Sequence, residues 1–402
     1  MSNAYLVAGT RTAFGKFRGS LSPVRTDDLL AHVLKSLVEQ HPNIPPDAYA
    51  DVIIGCANQA GEDNRNVARM GLLLAGLPWS VPGETVNRLC ASGMSAINHA
   101  RRAILAGEGE IFISGGVEHM TRGPLVMSKS ARPFGGDVQV YDSSFGWRFV
   151  NGKMKDLYGT DAMGQTAENL VEKFDIRRED QDRFALWSQQ KAAAARANGR
   201  LAQEITPVEI PRRKQDPLVF KDDEFIRPDT SMAALAKLRP AFKREGGTVT
   251  AGNASGLNDG AAAVIVASEK AVTEFDLKPL AKIVSTAVVG VEPRIMGIGP
   301  VYATQRALNR AGLTLDQMGL LELNEAFSAQ VLACTRELGL ADDDPRINVN
   351  GGAIAIGHPL GVSGTRIVHT LALEMQQRDV QYGLATMCVG VGQGYAMVLE
   401  RV

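Results

Sequence analysis

The sequence predicts an α/β fold made of two similar halves, with an insertion in the first half. Two observations support this prediction. Apolar segments typical of buried strands alternate with segments of helical periodicity near both ends of the chain, and one local pattern occurs twice. The alternation is interrupted between about residues 121 and 250. Hydrophobic residues make up 45% of the 402 residues, which is enough for large buried cores.

Strands and helices alternate before the interruption. We predict strand Tyr5–Ala8, helix Thr26–Gln40, strand Asp51–Gly55, helix Ser92–Ala106 and strand Ile111–Ser114. Thr26 or Asp27 should cap the first helix, because their side chains can accept from its free backbone N–H groups. Helical connections between successive strands predict a largely parallel sheet.

The interruption contains glycine and proline clusters, several aromatic residues and one strong helix, Arg178–Asn198. Loops of this length usually carry function or a structure of their own, so we interpret the segment as an excursion from the sheet. The alternation returns after Thr250. There we predict strands Ala261–Ala267, Ala281–Gly290, Leu320–Leu323, Tyr382–Met387 and Met397–Glu400, and helices Val301–Ala311, Ser328–Leu338 and Gly364–Gln377.

The repeated pattern consists of a reactive residue, a Ser-Gly pair, a helix, a strand and a glycine turn. It begins once with Cys90-Ala-Ser-Gly and again with His358-Pro-Leu-Gly-Val-Ser-Gly. The repetition indicates a duplicated domain. In two related halves the two helix starts could meet at one site, where free backbone N–H groups would face a ligand.

Composition argues against several functional classes. The chain has 43 basic and 44 acidic residues and a net charge of -1, which disfavours nucleic acid or an anionic membrane as the main partner. Neither a membrane-spanning apolar run nor a secretion signal is readable, so we expect a cytoplasmic protein. The four cysteines are too few for a disulfide scaffold and too widely spaced for a zinc site, which leaves free thiols as possible nucleophiles.

Three residues are candidates for chemistry. Cys90 lies just before a predicted helix, where free N–H groups and the helix dipole should lower a thiol pKa. His358 lies in a glycine-rich turn and suits a general base, although a histidine that only satisfies the turn is an equal alternative. Cys388 ends an apolar strand, the place where α/β sheets carry reactive groups. For both cysteines an inert core position is the commoner role.

Two further segments have an open interpretation. Asn324, in Asn324-Glu-Ala-Phe, could orient a water or donate to an oxyanion, or it could cap a helix. Small residues around Ser255 suit either a channel for a slim ligand or an ordinary turn. The P-loop, GxGxxG, HExxH and GxSxG motifs are absent from the sequence.

Four segments together resemble the catalytic segments of the thiolase family in residues, order and spacing. They are Val86-Asn-Arg-Leu-Cys90-Ala-Ser-Gly, Asn324-Glu-Ala-Phe, Gly357-His-Pro-Leu-Gly and Cys388-Val-Gly-Val-Gly. The resemblance extends over the whole chain and implies two βαβαβαββ halves in a five-layered α/β/α/β/α arrangement. We therefore expect an N-terminal thiolase domain over residues 1–269, including a loop domain at about 121–250, and a C-terminal thiolase domain over residues 270–402.

The resemblance also implies roles for residues. Cys90 would be the acylated nucleophile, His358 would accept its proton, and Cys388 would exchange the α-proton of acetyl-CoA. His358 and a water held by Asn324 would form one oxyanion hole, and the backbone N–H groups of Cys90 and Gly390 the other. The implied reaction is a reversible Claisen condensation of CoA thioesters without a metal or redox cofactor. The implied assembly is a homodimer or homotetramer, with no nucleic-acid or membrane partner.

Further positions match substrate contacts of the family. Ser255 and Arg227 match residues that contact the pantetheine and nucleotide ends of CoA. The apolar lining of the acyl pocket is matched by Met163, Met296, Ala326 and Phe327.

Two stretches bear on the acyl substrate. Ala162 stands where members specific for acetoacetyl-CoA carry a histidine. Phe145-Gly-Trp-Arg-Phe-Val-Asn and Tyr158-Gly-Thr-Asp resemble the thiolases of aromatic-acid catabolism that cleave 3-oxoadipyl-CoA with CoA to succinyl-CoA and acetyl-CoA. That substrate has a distal carboxylate, for which Arg148 is the candidate cation, unless it is a surface arginine.

Alternative functions stay open. One is an acetyl-CoA C-acetyltransferase and another a broad 3-ketoacyl-CoA thiolase, since Asn151-Gly-Lys-Met departs from the 3-oxoadipyl pattern. A decarboxylative ketoacyl synthase would need a second histidine in place of Cys388. A non-catalytic thiolase-like lipid carrier is disfavoured by the intact Cys90 and His358.

Overall fold

Strands and helices alternate at both ends of the chain in the computed structural model, which describes residues 3–402. The first half contains β1 (Ala4–Arg11), β2 (Gly15–Lys16), α1 (Thr26–Glu39), β3 (Asp51–Gly55), α2 (Val67–Leu74), β4 (Gly83–Val86), α3 (Ser92–Ala106) and β5 (Ile111–His119). The insertion contains β6 (Leu125–Met127), β7 (Val140–Asp142), α4 (Gly152–Tyr158), α5 (Met163–Phe174), α6 (Arg178–Ala197), β8 (Val208–Arg212), β9 (Gln215–Phe220) and α7 (Met232–Ala236). The first half ends with β10 (Asn258–Ser268) and α8 (Glu269–Glu274). The second half contains β11 (Ala281–Gly290), α9 (Gly299–Ala311), β12 (Leu320–Leu323), α10 (Ser328–Glu337), α11 (Ala353–Ile356), α12 (Leu360–Gln377), β13 (Tyr382–Val389) and β14 (Gln393–Arg401).

Ten strands form one hydrogen-bonded sheet in the order β4-β3-β5-β10-β1-β11-β14-β13-β12, with β2 on β10. The two halves are joined by a short pairing of β1 with β11, residues 5–6 with residues 281–282. The prediction of a largely parallel sheet was wrong. β10 lies antiparallel to both β1 and β5, and β14 lies antiparallel to both β11 and β13. The reason is that β13 and β14 are joined by a tight turn, not by a crossover helix.

The alternation of side chains along the strands divides the core into layers. In β14, Ala396 and Val398 face an outer cluster, whereas Met397 and Leu399 face the central one. The outer clusters join α1 and α2 to the sheet of the first half, and α9 and α10 to the sheet of the second half. The central cluster encloses α3 and α12 between the two halves of this sheet. This is the five-layered α/β/α/β/α arrangement, and the predicted fold class is confirmed.

Individual boundaries differ from the predictions in informative ways. Neither Thr26 nor Asp27 caps α1, because both lie inside the helix and Arg25 occupies the cap position without a side-chain bond. β5 extends to His119 because its glycines continue the pairing with β10. The predicted domain boundary at residues 269 and 270 falls at the start of α8, whose Ala271 packs in the outer cluster of the first half. We propose a division between α8 and β11 instead.

Within residues 3–402, every helix is too short or too polar to cross a membrane.

Buried charges attach the insertion to both halves. Arg11 of β1 donates to Glu204 Oε1 at 2.9 Å and to the two carboxylate oxygens of Asp223 at 2.7 and 2.9 Å. Arg200 of the insertion donates to Glu374 Oε2 of α12 at 2.8 Å. Arg11 is only 1% exposed, so its charge is fully desolvated and depends on these partners.

We expect Arg11→Ala to lower the free energy of unfolding by about 3–5 kcal/mol, since Asp223 would stay buried without a cation and Glu204 would keep only Arg200, at 3.4 Å. Urea unfolding followed by circular dichroism measures the change. Arg25→Ala is the matched control, because Arg25 pairs with Asp27 and Glu62 while 51% of its side chain is exposed, and it should have a much smaller effect. Equal losses in the two variants would contradict the structural role of the buried cluster.

Candidate active site

The starts of α3 and α12 meet in the central layer at backbone distance. A Cβ atom on Gly93 would lie 2.4 Å from Thr365 Oγ1 and 2.7 Å from the carbonyl oxygen of Gly361. A Cβ atom on Gly364 would lie 2.5 Å from the backbone nitrogen of Met94. Only glycine permits this approach. The structure therefore brings together the two helix starts of the repeated pattern, the segments that follow Cys90 and His358 in the sequence.

Cys90 sits in the tight turn between β4 and α3. Leu89 has φ 46°, a left-handed conformation that costs a non-glycine residue about 1–3 kcal/mol and is typical of functional turns. Cys90 is 8% exposed, and the backbone N–H groups of Gly390 and of Cys90 itself lie near its sulfur and favour the thiolate. The turn thus directs the thiol toward the start of the second glycine-rich segment.

Burial dominates the acidity of this thiol. Desolvation raises the pKa of Cys90 to about 11, although the N–H groups of Gly390 and Cys90 act to lower it. This corrects the prediction of a lowered thiol pKa, because the cost of burying the charge exceeds the effect of the helix start. In the free protein at neutral pH, Cys90 is a thiol.

His358 is held in one tautomer. Its backbone N–H donates to Asn258 Oδ1 at 2.9 Å, and its Nδ1 lies 2.6 Å from Ser363 Oγ. The Ser363 hydroxyl donates to the carbonyl of Pro359 at 3.0 Å, so it can only accept from His358 Nδ1–H. Nε2 is then the basic nitrogen. Burial, together with the charge of Arg366, lowers the pKa of His358 to about 3, so the resting imidazole is neutral.

Asn324 directly follows β12, and Cys388 lies near the end of the neighbouring strand β13. β12 and β13 are parallel, and the backbone N–H of Asn324 donates to the carbonyl of Thr386 at 3.0 Å. Asn324 Nδ2 lies 3.4 Å from His358 Nε2, and α10 begins later, at Ser328, so Asn324 is not its cap. Cys388 is fully buried. Desolvation and the nearby Cys90 raise the pKa of the Cys388 thiol well above its ordinary value.

The β13–β14 turn closes the site beside Cys90. Val391 has φ 62°, unusual for a β-branched residue, and Gly392 has φ 82°. A Cβ atom on Gly392 would lie 2.3 Å from the carbonyl oxygen of Val291, so the turn packs directly on the segment before α9. A Cβ atom on Gly390 would lie 3.1 Å from Leu89 Cδ1. These contacts hold the Gly390 N–H close to the nucleophile.

The four predicted pocket residues form one buried cluster with Cys388. Its members are Met163, Ala167, Val249, Ala254, Met296, Ala326, Phe327 and Cys388. Ser255 is half-buried at its edge, where its N–H donates to the carbonyl of Ala326 at 3.0 Å. A buried apolar cluster therefore surrounds the second thiol.

The two predicted arginines lie elsewhere. Arg227 is exposed, and its guanidinium stacks over Phe225 at 5.4 Å from the ring centroid. Phe225 packs against Gly256, next to Ser255. Arg148 is half-buried and donates through Nη1 to the carbonyl of Ser143 at 3.2 Å and through Nη2 to Asn58 Oδ1 at 3.1 Å. Arg148 is not part of the pocket cluster.

The sequence interpretation assigned no role to two buried carboxylates that support the site. Glu118 accepts from the backbone N–H groups of Ala57, Asn58 and Gly361 at 3.0, 3.0 and 2.8 Å, and so connects the first half to the His358 turn. Burial raises the pKa of Glu118 to about 7. Glu325 accepts from Ser188 Oγ at 2.6 Å and from Asn348 Nδ2 at 2.7 Å. In the sequence, Glu118 stands out as an acidic residue inside an otherwise apolar, glycine-rich segment, whereas Glu325 follows a polar Asn in a segment without glycine.

Comparisons with known proteins agree with this geometry. The profile "Thiolase, N-terminal domain" matches residues 4–270, and "Thiolase, C-terminal domain" matches residues 277–401. The beta-ketoadipyl-CoA thiolase of Acinetobacter baylyi is 56% identical over 402 residues, and the 3-oxoadipyl-CoA/3-oxo-5,6-dehydrosuberyl-CoA thiolase of Escherichia coli (strain K12) is 54% identical over 402 residues; each alignment covers 100% of both chains. The crystal structure of human mitochondrial 3-ketoacyl-CoA thiolase superposes with a TM-score of 0.92 at 40% identity, covering 100% of this chain and 99% of that one. With both domain profiles, full-length relatives and the same fold, this chain belongs to the thiolase family.

Proposed function

We propose that this thiolase cleaves 3-oxoadipyl-CoA with free CoA to succinyl-CoA and acetyl-CoA, and catalyses the reverse condensation through the same acyl-cysteine. The observation behind the proposal is the meeting of Cys90, His358, Asn324 and Cys388 around the starts of the two central helices. The names of two relatives that align over their full length specify this acyl chain.

In the first step, Cys90 Sγ attacks the C3 carbonyl of the 3-ketoacyl-CoA. The resting partners are a neutral thiol and a neutral imidazole, so the proton passes from Sγ to His358 Nε2 as the S–C bond forms. Ser363 supports this transfer because it retains the proton on Nδ1 and so presents Nε2 as the acceptor.

The C2–C3 bond then breaks, and its electron pair passes into the thioester carbonyl to form the enolate of acetyl-CoA. Cys388 donates its proton to C2, and acetyl-CoA leaves. Burial keeps Cys388 protonated at neutral pH, which suits a proton donor. CoA next attacks acyl-Cys90 and gives its thiol proton to the Cys388 thiolate, while His358 returns its proton to the Cys90 sulfur.

An oxyanion forms in each of the two stages of this reaction. We assign the enolate oxygen to His358 Nε2 and a water oriented by Asn324, and the oxygen on the acyl carbon to the N–H groups of Cys90 and Gly390. Asn324 Oδ1 is buried and has no partner in residues 3–402, so it is free to bind such a water. Because three side chains carry every proton, the scheme calls for no metal or redox cofactor.

Ser255 and Arg227 are proposed to bind CoA. Ser255 lies at the edge of the pocket cluster, where a pantetheine arm would enter. Arg227 lies further out on the same surface and suits the polyanionic nucleotide end, since Phe225 holds its guanidinium in place.

Other activities make different demands on the site. An acetyl-CoA C-acetyltransferase or a broad 3-ketoacyl-CoA thiolase would use the same four residues with another acyl pocket, and substrate kinetics distinguish them. A lipid carrier would need none of the proton-transfer geometry around His358. A ketoacyl synthase would need a histidine at the position of Cys388.

We propose a homodimer or homotetramer in a reducing compartment such as the cytoplasm. β4 is an edge strand of the sheet, and the nearby Trp79 is 82% exposed. The insertion exposes further apolar side chains, including Leu125, Met127 and Phe134. A reducing environment would protect the two neighbouring thiols, Cys90 and Cys388, from oxidation.

Variants of the two reactive cysteines should fail at different steps of the reaction. Cys90→Ala should lose covalent labelling by acyl-CoA and reduce kcat by about 10⁴-fold or more, because the nucleophile is gone. Cys388→Ala should still accept an acyl group on Cys90 but fail to cleave the C2–C3 bond. Mass spectrometry and a thiolysis assay measure the two steps.

Cys334→Ser is the matched control for these variants, since Cys334 is a third buried thiol that donates to the carbonyl of Gly297 at 3.1 Å and carries no proton in this scheme. It should keep both labelling and turnover. Full thiolysis by Cys90→Ala would refute the acyl-cysteine mechanism.

Substrate kinetics test which acyl chain the enzyme prefers. We expect kcat/KM for 3-oxoadipyl-CoA to exceed that for acetoacetyl-CoA by about 10- to 100-fold, since a charge-assisted bond to the distal carboxylate contributes about 1.5–3 kcal/mol. Thiolysis followed at the absorbance of the 3-ketoacyl enolate gives both values. A preference for acetoacetyl-CoA would instead support the acetyltransferase alternative.

The pH dependence of alkylation tests the resting state of the nucleophile. The raised pKa of Cys90 means that its thiolate fraction rises about tenfold per pH unit from pH 7 to pH 9. The rate of iodoacetamide labelling of Cys90, measured by mass spectrometry, should rise in the same proportion. A plateau near pH 7 would show a resting thiolate–imidazolium pair and contradict this prediction.

A further inference from the structure

A small cleft opens on the protein surface between the insertion and the β13–β14 turn. Its lining includes Met163, Val391, Trp147, Tyr158 and Arg294. Met163 also packs against the cluster that contains Cys388, and its sulfur would lie 3.8 Å from a Cβ atom on Gly390. Gly390 packs in turn against Leu89, the residue before Cys90, so the inner end of the cleft borders the nucleophile turn.

Arg294 is the cation of this narrow part, whereas Lys155 lines only the wider outer pocket, together with Asp156 and Glu292. The Nε of Arg294 donates to Asp161 Oδ2 at 3.0 Å. Its aliphatic stem packs beside Gly159, where a Cβ atom would lie 3.3 Å from Cδ. These contacts fix the direction of the side chain.

The two Nη atoms of the Arg294 guanidinium, its outer fork, are available to a ligand. Within residues 3–402, no side chain or carbonyl accepts from Nη1 or Nη2 of Arg294. A planar fork with two parallel donors matches a carboxylate bidentately. Asp161 is itself held by Asn169 Nδ2 at 3.0 Å, so the fork is oriented before a ligand arrives.

The position of Arg294 suits a short dicarboxyl chain. In a succinyl group, standard bond lengths place the carboxylate carbon only about 4 Å from the thioester carbonyl carbon. The matching cation must therefore border the acyl pocket and not the CoA channel. Arg294 is two residues from Met296, which packs against Cys388 in that pocket.

We propose that Arg294, oriented by Asp161, binds the distal carboxylate of the acyl chain and sets the preference for dicarboxylic substrates, in place of Arg148. The inference rests on the proposed 3-oxoadipyl-CoA activity. Both Nη atoms of Arg148 already donate to protein oxygens, on Ser143 and Asn58. The Nη atoms of Arg294 do not.

The test compares three substrates of the full-length enzyme: 3-oxoadipyl-CoA, 3-oxohexanoyl-CoA, which has the same six-carbon chain with a methyl end, and acetoacetyl-CoA. Arg294→Gln should lower kcat/KM for 3-oxoadipyl-CoA by about 10- to 100-fold and change that for the two uncharged substrates by less than about threefold. Asp161→Asn should produce a smaller loss with the same selectivity, because it frees the guanidinium.

Two further variants serve as comparisons. Arg148→Gln tests the competing arginine and should keep the ratio between 3-oxoadipyl-CoA and 3-oxohexanoyl-CoA. Arg306→Gln, on the exposed face of α9, controls for the loss of one positive charge and should change none of the three values.

The outcomes separate this inference from the proposed function. A wild-type enzyme without preference for 3-oxoadipyl-CoA would overturn the proposed function and the inference with it. A wild-type preference that Arg294→Gln retains, or that Arg148→Gln abolishes, would overturn the inference alone. An equal loss on all three substrates in Arg294→Gln would show a structural role and also overturn it.

Discussion

The backbone contact between the two central helices is the constraint on which the rest of the structure depends. Strands β3 and β5 take part in it as well as α3 and α12. A Cβ atom on Gly116 would lie 1.9 Å from the carbonyl oxygen of Gly361, and one on Gly55 would lie 2.4 Å from the backbone nitrogen of Gly93. No larger residue fits without moving backbone. The two helix starts, which follow Cys90 and His358 in the sequence, are therefore fixed in backbone contact.

The same close packing determines the electrostatics of the site. It excludes water from both cysteines and from the histidine, so burial raises the thiol pKa values and lowers that of the imidazole. The resting groups are neutral, and charge would develop only when substrate carbon bonds to sulfur. Donors that are already oriented, such as the Gly390 N–H, then act on that charge without reorganisation.

The site is complete only when the halves and the insertion pack together. Glu118 connects the first half to the turn after His358, and Glu325 connects the second half to α6 of the insertion through Ser188. The insertion in turn contributes Met163 to the pocket and Asp161 to the orientation of Arg294. Buried carboxylates that accept several N–H groups suit this purpose, because each is costly to leave unpaired.

The sequence by itself determined the elements and the reactive residues. Strand Asp51–Gly55 and helix Ser92–Ala106 were predicted with the bounds that the structure has, because hydrophobic periodicity is a local property. The placement of Cys90, His358, Asn324 and Cys388 in glycine-rich or strand-end segments followed from residue patterns too. The tertiary structure decided the antiparallel pairing of β10 and β14, the raised pKa of Cys90 and the separation of Arg148 from the acyl pocket. Pairing direction, desolvation and the reach of a side chain depend on groups distant in sequence, and a local pattern cannot encode them.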